Sequence, residues 1–143
     1  MVDAGIGGAN FCPIFDVASS YVINNGMNAG EIEQFFTIID AGDLRLYELP
    51  VRSLTSFIIH VSKYYRHRAA KVFVINLPWS VRQGIKFIWN FLDDFQKSQL
   101  GYYGSDYHDD LHALVGKDNL EEKYGGNLPN LKKGEYWPPR LNL

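Results

Sequence analysis

The segment from Ser80 to Phe95 carries more apolar surface than a helix packed on one core needs. At about 100° per residue, Val81, Ile85, Ile88 and Leu92 form one stripe. Phe87, Phe91 and Phe95 form a second stripe beside it, and Trp89 widens the first on its other side. Together they cover roughly 200° of the helix, where a surface helix shows little more than about 100°. Arg82, Lys86, Asn90 and Asp93 share the polar remainder. Such a helix must be covered on two sides. One cover can be a sheet. The other can be a second layer of protein, a bound lipid chain or a membrane surface, and composition leaves the three open.

Neighbouring segments supply the sheet. Lys71–Leu77 (KVFVINL) is a β-rich run stopped by Pro78. Strand alternation sends Phe73 and Ile75 to one face and Val72, Val74 and Asn76 to the other. Phe35–Asp40 (FFTIID) is a short apolar run that ends in an acid and reads as a buried strand. Between the two, Pro50 suits a first helical turn, and Leu54, Phe57, Ile58, Val61 and Tyr65 recur at helical spacing. Ser80 is a candidate cap for the helix through Phe95. Leu100–Tyr103 reads as a third strand closed by Gly104, and Ser105 or Asp106 as the cap of a helix through Val115, ended by Gly116. Nearer the start, Met1–Asn10 is Gly- and Ala-rich and reads as irregular, Phe15–Ile23 as a helix, and Asn24–Gly30 as a break. Lys117 onward reads as loop and extended tail. Alternating strands and helices predict an α/β fold with a largely parallel sheet.

At 143 residues the chain has room for one domain. A net charge of −2 gives no electrostatic case for nucleic acid. The charge is uneven, however. Leu49–Leu92 contains no Asp or Glu and carries Arg52, Lys63, Arg66, Arg68, Lys71, Arg82 and Lys86. A basic stretch of this kind can meet phosphate or an anionic surface, or face an acidic neighbour or water. Cys12 is the single cysteine, so no internal disulfide forms, and a reducing compartment fits. No apolar run approaches the roughly 18 residues of a membrane span, and Met1–Asn10 lacks the basic start and apolar core of a signal peptide.

Chemistry-bearing patterns are sparse. His108 and His112 stand at i and i+4, a spacing that can hold zinc, but no Cys or Glu follows at a familiar ligand spacing. Gly5-Ile6-Gly7-Gly8 lacks both the preceding strand and the following Lys-Ser/Thr of a phosphate loop. Neither Cys12 nor any Ser sits in a nucleophile-elbow motif. Asp93 and Asp94 diverge by about 100° on a helix and cannot share a site. Gly125-Gly126 reads as an unusual backbone turn. The chain is read as no enzyme, with no metal or cofactor beyond a bound lipid.

From Tyr64 to Gly126 four segments follow in order: YYRHRAAKVFVINLPW, FLDDFQKSQL, GYYGSDYHDDLHALVG and KDNLEEKYGGNLP. This series resembles the CRAL-TRIO lipid-binding domain, as in fungal phosphatidylinositol/phosphatidylcholine transfer proteins. There the matching pieces are a Tyr-Pro-Glu-Arg turn, a strand ending in Asn-x-Pro, a gate helix containing Phe-Leu-Asp, a Gly-Ser before a Tyr-led helix, and an Asn-Leu-x-x-x-Phe/Tyr-Gly-Gly close. The resemblance implies a mixed, mostly parallel sheet with flanking helices and a gate helix, here Trp79–Phe95, over a hydrophobic cavity. It divides the chain into a divergent segment 1–34, a CRAL-TRIO-like core 35–126 and a tail 127–143. Candidate lipid-contacting residues are Phe73, Ile75, Phe87, Phe91 and Phe95, with His67, Arg68 and Gln99 at the headgroup positions.

Two departures qualify what the resemblance implies. His67 stands where phosphatidylinositol-binding relatives place Glu, and Gln99 where they place Lys. A carboxylate accepts hydrogen bonds from inositol hydroxyls and a histidinium cannot, so usual phosphatidylinositol binding is not expected. Phosphate contact through Arg68 stays open beside its reading as an ordinary surface arginine. The chain also lacks room for the family's amino-terminal helical module and initial strand, so a protein partner completing the domain is a second expectation. The leading expectation is non-catalytic binding or transfer of a phospholipid or other hydrophobic ligand, with peripheral membrane contact. The alternative is a pocket-degenerate domain serving as a docking subunit of a larger assembly. Location is read as cytoplasmic or peripheral to a membrane, with an organelle left open.

Overall fold

The structure is a computed structural model that describes residues 12–42, 51–132 and 134–136, positions 51, 52 and 54 by backbone alone. The expectations for Met1–Asn10, Gly5–Gly8 and Pro50, and for the Arg52 and Leu54 side chains, lie outside what is described. Chain order is α1 (Cys12–Gly26), β1 (Phe35–Asp40), α2 (Val51–Tyr64), β2 (Ala69–Ile75), α3 (Trp79–Trp89), α4 (Asp94–Gln99), β3 (Leu100–Tyr102) and α5 (His108–Val115). Two 3-10 turns follow, at Lys117–Asn119 and Glu122–Tyr124.

The strands form a parallel sheet in the order β1-β2-β3, as the alternation of elements predicts. Successive crossovers of the usual right hand, stepping the same way across a sheet, leave their helices on one face. The packing agrees. Phe15 of α1, Phe57 and Val61 of α2, and Val81, Ile85 and Ile88 of α3 share one core with Val72 and Val74 of β2. The opposite face of β2, Phe73 and Ile75, packs on Tyr107, Leu111 and Leu120. Alternation along β2 is therefore as expected through Ile75.

Asn76 departs from it. Its φ of 56° is a left-handed conformation that Asn tolerates better than most residues. The side chain donates to Asp40 Oδ1 at 2.9 Å, and the Gly42 N–H donates to the same oxygen at 3.0 Å. The acid closing FFTIID thus ties the ends of β1 and β2 together, and β2 ends two residues before Leu77.

The continuous helix expected over 80–95 is two helices. α3 stops at Trp89, and Asp93 starts α4 by accepting from the Gln96 N–H at 2.7 Å while Gln96 Oε1 accepts from the Asp93 N–H at 3.0 Å. This reciprocal capping box satisfies two backbone donors that a continuous helix would have used otherwise. Ser80 does not cap α3, because Pro78 occupies that position with no side-chain bond. Nor do Ser105 or Asp106 cap α5. Tyr107 precedes its first turn, and Asp106 instead accepts from the Gly104 N–H at 2.9 Å.

A polar clip fastens α1 to α2. Asp16 Oδ1 accepts from the Tyr65 hydroxyl at 2.8 Å and lies 2.7 Å from His60 Nε2. Phe15 packs edge-on against Phe57 and Tyr65, each with centroids 5.2 Å away. Burial raises the Asp16 carboxyl, but the His60 and Tyr65 hydrogen bonds outweigh it and leave the group below its ordinary value. A carboxyl lowered in the folded state stabilises above its unfolded pKa, and that contribution is lost as pH falls through the folded value. Thermal stability is therefore expected to drop on acidification below about pH 4. Asp16→Asn should flatten the drop. Unfolding midpoints from about pH 6 to about pH 3 check this, and equal slopes in the two proteins would contradict the clip.

Candidate functional site

α3 forms where Pro78 fixes the entry and the Val81, Ile85 and Ile88 stripe can be buried. Those side chains, with Leu92, are buried in one core with Val72 and Val74 of β2 and Phe57, Ile58 and Val61 of α2. The second stripe faces away. Phe87 is 69% exposed and Phe91 75%, with ring centroids 5.5 Å apart. Trp79 at the start of α3 is exposed as well. Phe95 lies past the helix break, half-buried, with the Arg66 guanidinium 4.4 Å over its ring. Trp89 is half-buried against Tyr102 at 5.0 Å.

The eight candidate residues do not come together. Phe73 and Ile75 point to the α5 side of the sheet, away from α3. Phe73 stacks on Tyr103 at 5.6 Å, and Lys71 Nζ lies 5.6 Å from the centroid of the Phe73 ring. On the α3 side, Val72 and Val74 take the place that the resemblance left to either pair.

The turn between α2 and β2 holds the headgroup candidates. His67 is exposed, and its carbonyl accepts from Gln34 Nε2 at 3.3 Å. Arg68 Nη1 donates to the Glu33 carbonyl at 3.4 Å and lies 3.8 Å from Met27 Sδ, so it holds the loop before β1. Gln99 is buried beneath the turn and donates through Nε2 to the Arg66 carbonyl at 3.1 Å and the Ala69 carbonyl at 2.6 Å. Beside it, side chains of α2, β2, α4 and β3 line a small, half-open cleft of about 10 Å³, room for about one water-sized group. Ser62 and Gln96 line it and were not singled out from sequence. The Asp93-x-x-Gln96 capping pattern was the available signal, since it starts α4 in the register that puts Gln96 and Gln99 on one side.

The basic stretch is dispersed. Arg82 lies 3.6 Å from Asp106, Arg66 stacks on Phe95, and Lys71 sits on the other side of the sheet. His112 Nε2 lies 3.3 Å from the Tyr124 carbonyl, and its ring centroid is 6.0 Å from that of His108. Among the described residues no three His, Cys, Asp or Glu side chains are grouped to hold a metal ion. No helix among them is long and apolar enough to cross a membrane.

Comparison with known proteins places these features. The CRAL/TRIO domain model matches residues 14–126. The Sec14 cytosolic factor of Schizosaccharomyces pombe is 33% identical over 102 residues, 68% of this chain and 35% of that protein. The SEC14 cytosolic factor of Yarrowia lipolytica is 38% identical over 63 residues, 44% of this chain and 13% of that protein. A CRAL-TRIO domain-containing protein of Saccharomyces cerevisiae is 30% identical over 97 residues, 66% of this chain and 31% of its own length. The chain thus spans about a third or less of the length of these relatives.

Proposed function

This chain belongs to the CRAL/TRIO domain family, and from that premise we propose that it binds a phospholipid or other hydrophobic ligand without catalysis, through the outer side of α3. The uncovered pair Phe87 and Phe91 carries this reading. α3 is apolar on two sides and its inner side is already buried in the core. The outer side offers acyl chain or membrane a surface on which burying each Phe is worth about 1.5–3 kcal/mol. The headgroup is not inositol in the usual manner: His67 brings no carboxylate, and the Gln99 amide is committed to two carbonyls of the turn. Membrane contact is peripheral, in the cytoplasm or on an organelle.

Lipid extraction after mild purification, with uptake of a fluorescent phosphatidylcholine, tests the reading. Phe87→Asp with Phe91→Asp is expected to lower uptake at least about tenfold while leaving the unfolding midpoint nearly unchanged, because both side chains are exposed. No co-purifying lipid and no uptake by the unmodified chain would sink it.

The burial of the inner side of α3 in the core favours a second reading, in which the same phenylalanines dock a protein partner that completes the domain. A lipid-free, stable oligomer in light scattering would favour that reading over the first.

A further inference from the structure

We propose that the outer edge of β1 pairs antiparallel with β1 of a second copy of this chain, joining the two sheets into one. The surface is not that of the α3 phenylalanines, and the proposal stands apart from both readings above. In a parallel sheet, successive residues of a strand turn their backbone groups to opposite neighbours. The Phe35 N–H donates to the Arg68 carbonyl at 2.8 Å, and the Ala41 N–H to the Ile75 carbonyl at 3.0 Å. Phe35, Thr37, Ile39 and Ala41 therefore turn toward β2, and Phe36, Ile38 and Asp40 turn their backbone N–H and C=O groups the other way. Among the described residues no strand pairs with β1 on that side. Such a row of backbone groups is a template for another strand.

Edge strands are ordinarily guarded by shortness, proline, lysine or a bulge. β3, at the other edge of the sheet, is three residues long. β1 is six residues long and carries no proline and no basic residue. Its register shift falls between Phe35 and Phe36 and leaves the rest of the strand regular. Phe36 is 48% exposed, and Ile32, just before the strand, 46%. The occupant is then an extended strand with apolar side chains, and β1 itself has that character. About a two-fold axis at Ile38, the outward groups of Phe36, Ile38 and Asp40 face those of Asp40, Ile38 and Phe36 in the other copy. Every outward donor then meets an outward acceptor. The charge selects the same direction. Asp40 is the single charged residue of the strand, and the two-fold sets its two copies at opposite ends. Each lies across from Phe36, whose register partner on β2 is Lys71. A parallel pairing would set Asp40 beside Asp40, like charges in contact. Because both copies use the same edge, the assembly closes at a dimer.

The test is analytical ultracentrifugation of the whole 143-residue chain over about a hundredfold range of concentration, with amide exchange read residue by residue. A dimer is expected at the upper end. The Ile38 amide should exchange fast in the monomer and slowly in the dimer, while the Thr37 and Ile39 amides, turned to β2, are protected in both. Phe36→Lys puts a guard on the edge and is expected to raise the dissociation constant at least about tenfold. The exchange pattern of the unmodified chain stands as evidence independent of how that variant folds. A monomer throughout the range with a fast Ile38 amide overturns the proposal. So does a monomer with a slow one, which would place a segment of the same chain on the edge. A dimer that Phe36→Lys leaves intact, or that Phe87→Asp with Phe91→Asp dissolves, uses another surface and also overturns it.

Discussion

Replacing Ile85 with alanine is expected to cost about 2–5 kcal/mol of stability, while replacing Phe87 with alanine costs less than about 1 kcal/mol. The two residues are neighbours on one helix and differ in what covers them. Ile85 is fully buried in the core it shares with residues of α2 and β2, so truncation removes contacts that the packed surroundings cannot readily replace. Phe87 is 69% exposed, and its described ring contact is with Phe91. Truncating it removes little beyond part of an aromatic pair, worth about 0.5–1.5 kcal/mol when well packed. Urea unfolding with an unchanged slope gives both values directly. The contrast also bears on function. A chain that gains no folding stability from two large exposed aromatics carries them for something outside itself. If Phe87→Ala proved as costly as Ile85→Ala, the outer stripe would be core, and the case for a ligand-contacting face would fall.

Local pattern foretold much of the fold. β1 coincides with FFTIID because an apolar run flanked by polar residues leaves few alternatives. α2 and the inner stripe of α3 follow helical periodicity for the same reason. The break at Asn90–Asp93 was harder to see. Leu92 and Phe95 continue the apolar stripes through it, so periodicity reads one helix where the capping box makes two. Periodicity reports which side chains seek cover and is silent on where hydrogen bonding ends a helix. The site was less legible. Phe73 and Ile75 do alternate away from Val72 and Val74, but which pair meets α3 depends on crossover hand and strand order, neither of which is a local property. Gln99 shows the same limit. Its inward turn follows from backbone carbonyls at Arg66 and Ala69, some 30 residues earlier in the chain.

Gly126→Ala is expected to destabilise the protein by about 3 kcal/mol or more. Here the constraint is close approach. A Cβ on Gly126 would lie 2.0 Å from the Leu120 carbonyl oxygen and 2.3 Å from its carbon. Neither side can easily yield. Leu120 O accepts from the Leu128 N–H at 2.8 Å, Gly126 N–H donates to the Glu121 carbonyl at 3.0 Å, and Asn127 N–H donates to Lys117 O at 2.9 Å. The Leu120 side chain is buried against the face of the sheet that carries Phe73 and Ile75. Pushing it aside would therefore open the second core as well as the turn. Gly30→Ala is the control: its φ is 83° and nothing lies within 4 Å of an added Cβ. Backbone strain alone should then cost about 1–2 kcal/mol. Denaturant midpoints separate the two variants, and amide exchange at Leu128 reports whether the turn has opened. A Gly126→Ala protein as stable as the Gly30→Ala protein would mean that residues 120–128 do not clamp this face of the sheet. A larger loss, with fast exchange at Leu128, would place the Gly-Gly close among the elements that hold β2 in position beneath α3.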